Sequence, residues 1–240
     1  MNHFGHTVKH IIVAFRFKNF KKAPKYFINS QFVNTFRFIL KCGRRHSLIF
    51  AKNSRNRAYF IFMDTIKIHD KTFEIFLRHE TILSAVKNIA NALEEDFKGK
   101  TPLFLIVLNG SFIFSADLLK EYNGPAEISF IKLSSYQGTA TTETVKTIIG
   151  LTEAVEHRDI VILEDIIDSG ITVSHLVAEL KKLKPARIKI ATLLLKPKAL
   201  RVNIRPDYVG LEIPNDFIVG YGLDYDGIGR NLKNIYRLVG

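Results

Sequence analysis

Residues 161–172 read VILEDIIDSGIT. The apolar run Ile160 to Leu163 stops at Glu164 and Asp165. Two further apolar residues, Asp168 and the tetrad Ser169-Gly170-Ile171-Thr172 then lead into a stripe of Val173, Leu176, Val177, Leu180 and Leu183 at helical spacing, closed by Lys181, Lys182, Lys184 and Pro185. This is a buried strand, a turn and an amphipathic helix. Ligands of open parallel sheets bind outside the carboxyl ends of the strands, and a helix start behind a glycine turn offers free N–H groups to a phosphate. Gly170 allows close approach of the backbone, and Ser169 and Thr172 add hydroxyls. A phosphate there sits beside three carboxylates, which would repel it unless they serve sugar hydroxyls or a hard divalent cation. The pattern therefore points to a phosphosugar with free hydroxyls. Capping by Asp168 and Ser169, with Glu164 and Asp165 solvated at a strand end, is the alternative reading, and it accounts for single residues better than for the assembled string.

The same alternation extends outward. Ile82, Val86, Ile89, Leu93 and Phe97 recur at helical spacing, Gly99 and Pro102 break the chain, and Leu103 to Leu108 is a continuous apolar run. A short helix through Phe112, Ala116 and Leu119 follows, then a strand at Glu127 to Leu133 and a Ser/Thr/Gly-rich loop from Ser134 to Thr144. Strands at Ile188 to Leu195, Tyr208 to Ile213 and Phe217 to Tyr221 complete the pattern. Unbroken apolar strands alternating with helices imply an α/β fold with a mainly parallel sheet flanked by helices. Neither a P-loop nor a dinucleotide glycine fingerprint is present.

The formal charge of +12 over 240 residues is unevenly placed. Residues 1–62 hold 13 Lys and Arg and no acid, while 63–240 hold 22 basic and all 23 acidic residues. The division expected is a basic leader at 1–62 and a globular domain at 63–240. The leader also carries 11 of the 19 Phe, without a sustained period. An organelle transit peptide, a nucleic-acid-binding arm, and disordered sequence outside the mature protein compete to explain it; the last is favoured, because Met63 stands where the composition changes. Pro102 to Phe114 is too short to span a bilayer, which needs roughly 20 apolar residues, and HIIVAF is cut off by Arg16. The single Cys42 excludes an internal disulfide and a cysteine-based zinc site. A reducing, cytoplasmic location is expected, with neither membrane nor nucleic acid as a partner.

VILEDIIDSGIT resembles the phosphoribosyl-pyrophosphate signature of type I phosphoribosyltransferases. VLNGSFIF at 107–114, LSSYQGTA at 133–140, LLLKPKA at 193–199 and DFIVGYGLDYDGIGRNL at 216–232 narrow the resemblance to the hypoxanthine (hypoxanthine-guanine) phosphoribosyltransferase family. It covers 63–240 and implies the type I fold with a small base-binding hood, magnesium as cofactor, and a homodimer or homotetramer. The implied reaction is purine salvage: hypoxanthine or guanine plus 5-phospho-α-D-ribose 1-diphosphate gives the nucleoside monophosphate and pyrophosphate. Two rivals are a xanthine- or guanine-preferring relative and a regulator that senses phosphoribosyl pyrophosphate and binds nucleic acid.

By the resemblance, Glu164 and Asp165 hold the ribose hydroxyls directly or through magnesium. Ile166 and Ile167 continue the binding run, and Asp168, Ser169, Gly170, Ile171 and Thr172 form the 5′-phosphate loop. Asp168 is also implied as the general base or acid at purine N7, a role that suits a carboxylate near a helix start. Asp224 matches a magnesium ligand and Arg230 a pyrophosphate contact. Lys196 matches the donor to the purine O6, Phe217 the ring that stacks on the base, and Ile218 the backbone that reads its edge. Leu108, Asn109 and Gly110 match the pyrophosphate loop, where the family often has Lys in place of Asn109, with an unusual cis peptide before it. Ile171 replaces a basic residue of some members, leaving the phosphate to N–H groups and hydroxyls. Ser134, Ser135 and Tyr136 match a lid whose closure excludes water from the reacting sugar carbon.

Overall fold

The computed structural model describes residues 38–42, 46–52, 58–136, 144–149 and 153–239. The chain divides into two units, Met1–Lys67 and Ile68–Gly240. In the first, β1 (Phe38–Cys42) pairs antiparallel with β2 (His46–Lys52), and β2 with β3 (Ala58–Ile68). β1, β2 and the first half of β3 lie in the acid-free stretch, where no period was legible, and β3 runs through Met63 and Asp64. Aromatic and β-branched residues favour extended backbone whether or not they alternate with polar ones.

The second unit is built on the sheet order β10-β9-β8-β5-β6-β7. Its strands are β5 (Leu103–Leu108), β6 (Glu127–Tyr136), β7 (Thr144–Ile149), β8 (Asp159–Ile167), β9 (Arg187–Leu195) and β10 (Tyr208–Glu212). The first five in spatial order pair in parallel, and β7 pairs antiparallel with β6 at the edge. The helices are α1 (His79–Asp96), α2 (Phe112–Glu121) and α3 (Ile171–Lys182). The sheet is covered on both faces. One core cluster joins Val161 and Leu163 of β8 to Ile82, Val86, Ile89 and Leu93 of α1 and Phe114 and Leu118 of α2; the other joins Ile160 and Ile162 to Val173, Leu176 and Leu180 of α3. Burial on both faces explains why these strands read as continuous apolar runs.

A smaller antiparallel sheet joins β4 (Lys71–Leu77), β12 (Ile235–Leu238) and β11 (Ile218–Val219). It is the expected hood. Its strands β4 and β12 are short and mixed in polarity, so neither gave a period to read.

Three differences from the sequence reading concern single elements. β8 continues through Glu164 and Asp165 to Ile167, so the acids belong to the strand and do not follow it. Ser134, Ser135 and Tyr136 lie on β6, facing Lys146, Val145 and Thr144 of β7, where a loop was expected. The two serines favour turns, but cross-strand pairing holds them extended; residues 137–143 of the expected loop lie outside the described residues. Leu183 caps α3 and is 49% exposed, because the helix ends before the stripe does. Leu163→Ala, which empties a fully buried site, lowers unfolding free energy by about 3 kcal/mol in urea titration, whereas Leu183→Ala changes it by less than about 0.5 kcal/mol.

Candidate active site

The site assembles where β8 and β9 end. The Lys196 N–H donates to the Ile167 carbonyl at 2.9 Å, continuing the parallel ladder one residue beyond Leu195. That register sets the two side chains past the strand ends against each other: Lys196 Nζ donates to Asp168 Oδ2 at 2.8 Å. The Lys196 side chain is 9% exposed and Asp168 52%, so the ammonium is held inside while the carboxylate faces outward.

The turn after Asp168 depends on Gly170, whose φ of +79° lies in the left-handed region. A Cβ there would stand 2.8 Å from Ile204 Cγ2 and 3.0 Å from Val202 Cγ2, so the segment after Lys196 packs directly on the turn. The Arg201 N–H donates to the Ser169 carbonyl at 3.0 Å and ties down the same segment. Gly170 is the N-cap of α3 and supplies no side-chain cap; the Ile171 N–H donates weakly to Ser169 Oγ at 3.4 Å. Thr172 and Val173 follow in the first helical turn, where N–H groups point out of the helix start.

Glu164 and Asp165 are 8% and 9% exposed. Burial pushes the Glu164 carboxyl well above its ordinary value, and the Asp165 charge adds to this. Burial also lifts Asp165 from 3.8 to about 6, against hydrogen bonding from Ile166 and the attraction of Arg230. Among the described residues, Glu164 Oε2 is fully buried and has no hydrogen-bond partner. Two buried acids with an unpartnered oxygen fit a site whose polar ligands arrive from outside.

Two loops meet beside Asp165, the first against its carboxylate and the second against the first. A Cβ on Gly110 would lie 1.8 Å from Asp165 Oδ2, and one on Gly222 would lie 2.0 Å from the Gly110 carbonyl oxygen. Only glycine fits at either place. The Leu108–Asn109 peptide is cis. Arg230 donates to the Gly222 carbonyl at 2.6 Å and pairs with Asp224 Oδ1 at 2.6 Å, while the Gly227 N–H donates to Asp224 Oδ2 at 2.7 Å. Leu108, Asn109, Phe112, Phe130 and Arg230 line an open pocket beside this junction.

Phe217 stands apart at the start of β11, 44% exposed, with Phe73 at 6.1 Å and Tyr225 at 5.7 Å between ring centroids. Lys71 Nζ lies 5.2 Å from the Phe217 centroid and 4.3 Å from that of Tyr225. The next residue, Ile218, is buried and paired with β12. Sequence reasoning missed Lys71 and Tyr225, because β4 carried no legible period and Tyr225 sits inside a motif read for its neighbouring acid. The described side chains do not include those of Ser134, Ser135 and Tyr136.

Among the described residues, no three His, Cys, Asp or Glu side chains stand close enough to enclose a metal ion. The donors present are carboxylate oxygens, one of them buried and unpartnered. Such a set fits magnesium, which takes one or two carboxylates and completes its shell with water and substrate phosphates.

The phosphoribosyl transferase domain family matches residues 73–226, and the parallel sheet with paired acids on β8 beside the start of α3 agrees with that class. The hypoxanthine-guanine phosphoribosyltransferase of Lactococcus lactis is 44% identical over 168 residues, 69% of this chain and 91% of that protein. Its Bacillus subtilis counterpart is 42% identical over 163 residues, 68% and 91% of the two chains. The crystal structure of a hypoxanthine-guanine phosphoribosyltransferase from Bacillus anthracis, 37% identical, superposes with a TM-score of 0.65 over 69% of this chain and 96% of that one. The chain belongs to the hypoxanthine-guanine phosphoribosyltransferase family.

A carboxyl whose pKa is higher in the folded state holds its proton more tightly there, so its contribution to stability is complete below 3.8 and is lost as pH rises through about 6. In chelator-treated protein without substrate, Asp165→Asn therefore flattens the fall of unfolding free energy between about pH 4 and about pH 6, measured by urea titration at each pH. An unchanged slope contradicts the burial assigned to Asp165.

Proposed function

We propose that this chain transfers the 5-phosphoribosyl group of 5-phospho-α-D-ribose 1-diphosphate to N9 of hypoxanthine, and of guanine, releasing pyrophosphate. The observation that carries this reading is the Lys196–Asp168 pair at the ends of β9 and β8, next to the start of α3. The 5′-phosphate takes the N–H groups and hydroxyls of Ser169 to Thr172, and the buried pair Glu164 and Asp165 takes the ribose hydroxyls. Its diphosphate lies against Leu108, Asn109, Gly110 and Arg230. The backbone around Asn109 supplies N–H donors in place of the missing lysine charge.

A 6-oxopurine presents an acceptor at O6 and N7 side by side. Lys196, a donor only, addresses O6, and Asp168 on the same ion pair takes or gives the proton at N7. An adenine amino group offers no acceptor to the ammonium, so selection falls on oxopurines. Phe217 stacks on the ring, held in place by Phe73 and Tyr225. As pyrophosphate departs, the sugar carbon gains oxocarbenium character, and Arg230 stabilises the charge on the leaving group. Glu164, Asp165 and Asp224 would hold magnesium, which supplies charge neutralisation at the diphosphate oxygens. For Asp224 this requires exchanging Arg230 for the cation. Ser134, Ser135 and Tyr136 belong to the lid over the reacting centre.

The catalytic domain is proposed to be 63–240, with residues 1–62 dispensable to the reaction. Among the described residues no helix is long and apolar enough to cross a membrane, and with one Cys in the sequence the cytoplasm is the proposed location. Exposed Phe112, Ile128 and Phe130 support assembly as a homodimer or homotetramer.

Inosine monophosphate formation by the full chain, followed spectrophotometrically with magnesium and the sugar diphosphate, tests the reading. Hypoxanthine and guanine are consumed and adenine is not. Asp168→Asn lowers kcat by about 100-fold with little change in either KM, the scale of a lost general acid-base group. Binding of the sugar diphosphate without turnover of either oxopurine would point to the regulator instead.

A further inference from the structure

The loop Gly220 to Gly222 holds three consecutive residues at positive φ: Gly220 at +107°, Tyr221 at +48° and Gly222 at +101°. For a glycine this costs little, but a bulky side chain adopts it only when its surroundings impose it. Tyr221 is the most constrained of the three. It is 1% exposed, its N–H donates to the Leu232 carbonyl at 2.7 Å, and its hydroxyl donates to Asp117 Oδ2 at 2.7 Å. The ring of His79 lies 6.1 Å away, and the other oxygen of Asp117 accepts from Lys120 at 3.1 Å. None of these side chains has a part in the proposed transfer.

The two ends of this bond lead to the two halves of one subsite. Asp117 lies on α2, which begins at Phe112, directly behind Leu108 to Ser111. Tyr221 precedes Gly222, whose carbonyl accepts from Arg230 and whose Cα leaves no room for a Cβ against the Gly110 carbonyl. A loop strained at Tyr221 and packed backbone to backbone on another loop keeps its place only if it is anchored behind the contact. The Tyr221 hydroxyl, with its proton held by burial and the Asp117 carboxylate, is that anchor.

We propose that Tyr221 and Asp117 form a brace, buried at its Tyr221 end, that positions the Leu108–Gly110 and Gly222–Arg230 loops to receive the diphosphate end of the sugar substrate. Both are positioning residues, and the proposal rests on the transferase reading above. The brace acts chiefly on the diphosphate subsite: Lys196 and Asp168 are held at the ends of β9 and β8, and Phe217, although it meets Tyr225 of the braced loop, is also held by Phe73 and by the Leu238 N–H, which donates to its carbonyl at 2.9 Å.

Steady-state kinetics of the full chain test this. Tyr221→Phe keeps the buried ring and removes the hydroxyl. It raises the KM for the sugar diphosphate about tenfold, the scale of a hydrogen bond to a charged acceptor, and leaves the KM for hypoxanthine within about twofold. Asp117→Asn retains an acceptor oxygen and stays within about threefold of the unsubstituted protein, whereas Asp117→Ala reproduces Tyr221→Phe. A diphosphate KM unchanged in Tyr221→Phe overturns the brace, as does an equal rise in both KM values. Hydrogen exchange supplies a readout independent of turnover: amides of 220–232 lose protection in Tyr221→Phe, and full protection overturns the brace as well. Absence of turnover by the unsubstituted chain removes the transferase reading and with it the substrate role of the brace, while exchange still shows whether the anchor exists.

Discussion

Everything at the site hangs on the parallel pairing of β8 with β9 being carried to the last residue of both strands. Ile167 pairs with Leu195, and the Lys196 N–H adds one more bond to the Ile167 carbonyl. Because parallel register fixes which residues emerge side by side, Asp168 and Lys196 are neighbours without any help from loops. One residue of slip would send each side chain to the opposite face of the sheet. The apolar runs that lock the register are buried on both faces, so the core of the unit places the proposed base-reading pair.

The site is held at an electrostatic cost. Glu164 and Asp165 are buried side by side with raised pKa values, and Glu164 Oε2 lacks a partner among the described residues. Uncompensated burial of this kind is destabilising, and on the proposed reading it is relieved when cations or sugar hydroxyls arrive. Arg230 offsets part of the charge from the opposite side while it is tied to Asp224 and the Gly222 carbonyl. The glycines follow from the same crowding. Gly110 and Gly222 are where a buried carboxylate and two backbones meet with no space for a side chain.

The sequence made the central sheet legible because doubly covered strands are apolar throughout: Leu103 to Leu108 coincides with β5, and Ile188 to Leu195 falls one residue short of β9. The acid-rich string 161–172 was legible for a different reason, since acids after a buried strand and a Gly turn before a helix are rarely combined for packing alone. What escaped depends on tertiary contact. β4, β7 and β12 are short edge or hood strands with mixed polarity. Lys71 reaches Phe217 from 146 positions away in the chain, and Asp117 reaches Tyr221 across a separation of 104. The strand positions of Ser134 to Tyr136 are set by pairing with β7, which their own composition does not announce.

The claim that the Lys196–Asp168 pair reads and activates the base is tested most directly by base selectivity in Lys196→Met, which keeps an unbranched side chain one atom shorter and removes its donor. The account predicts that kcat/KM for hypoxanthine falls by about 100-fold or more while that for adenine does not, so that discrimination between the two bases shrinks. An unchanged ratio, with hypoxanthine used as well as before, would contradict it.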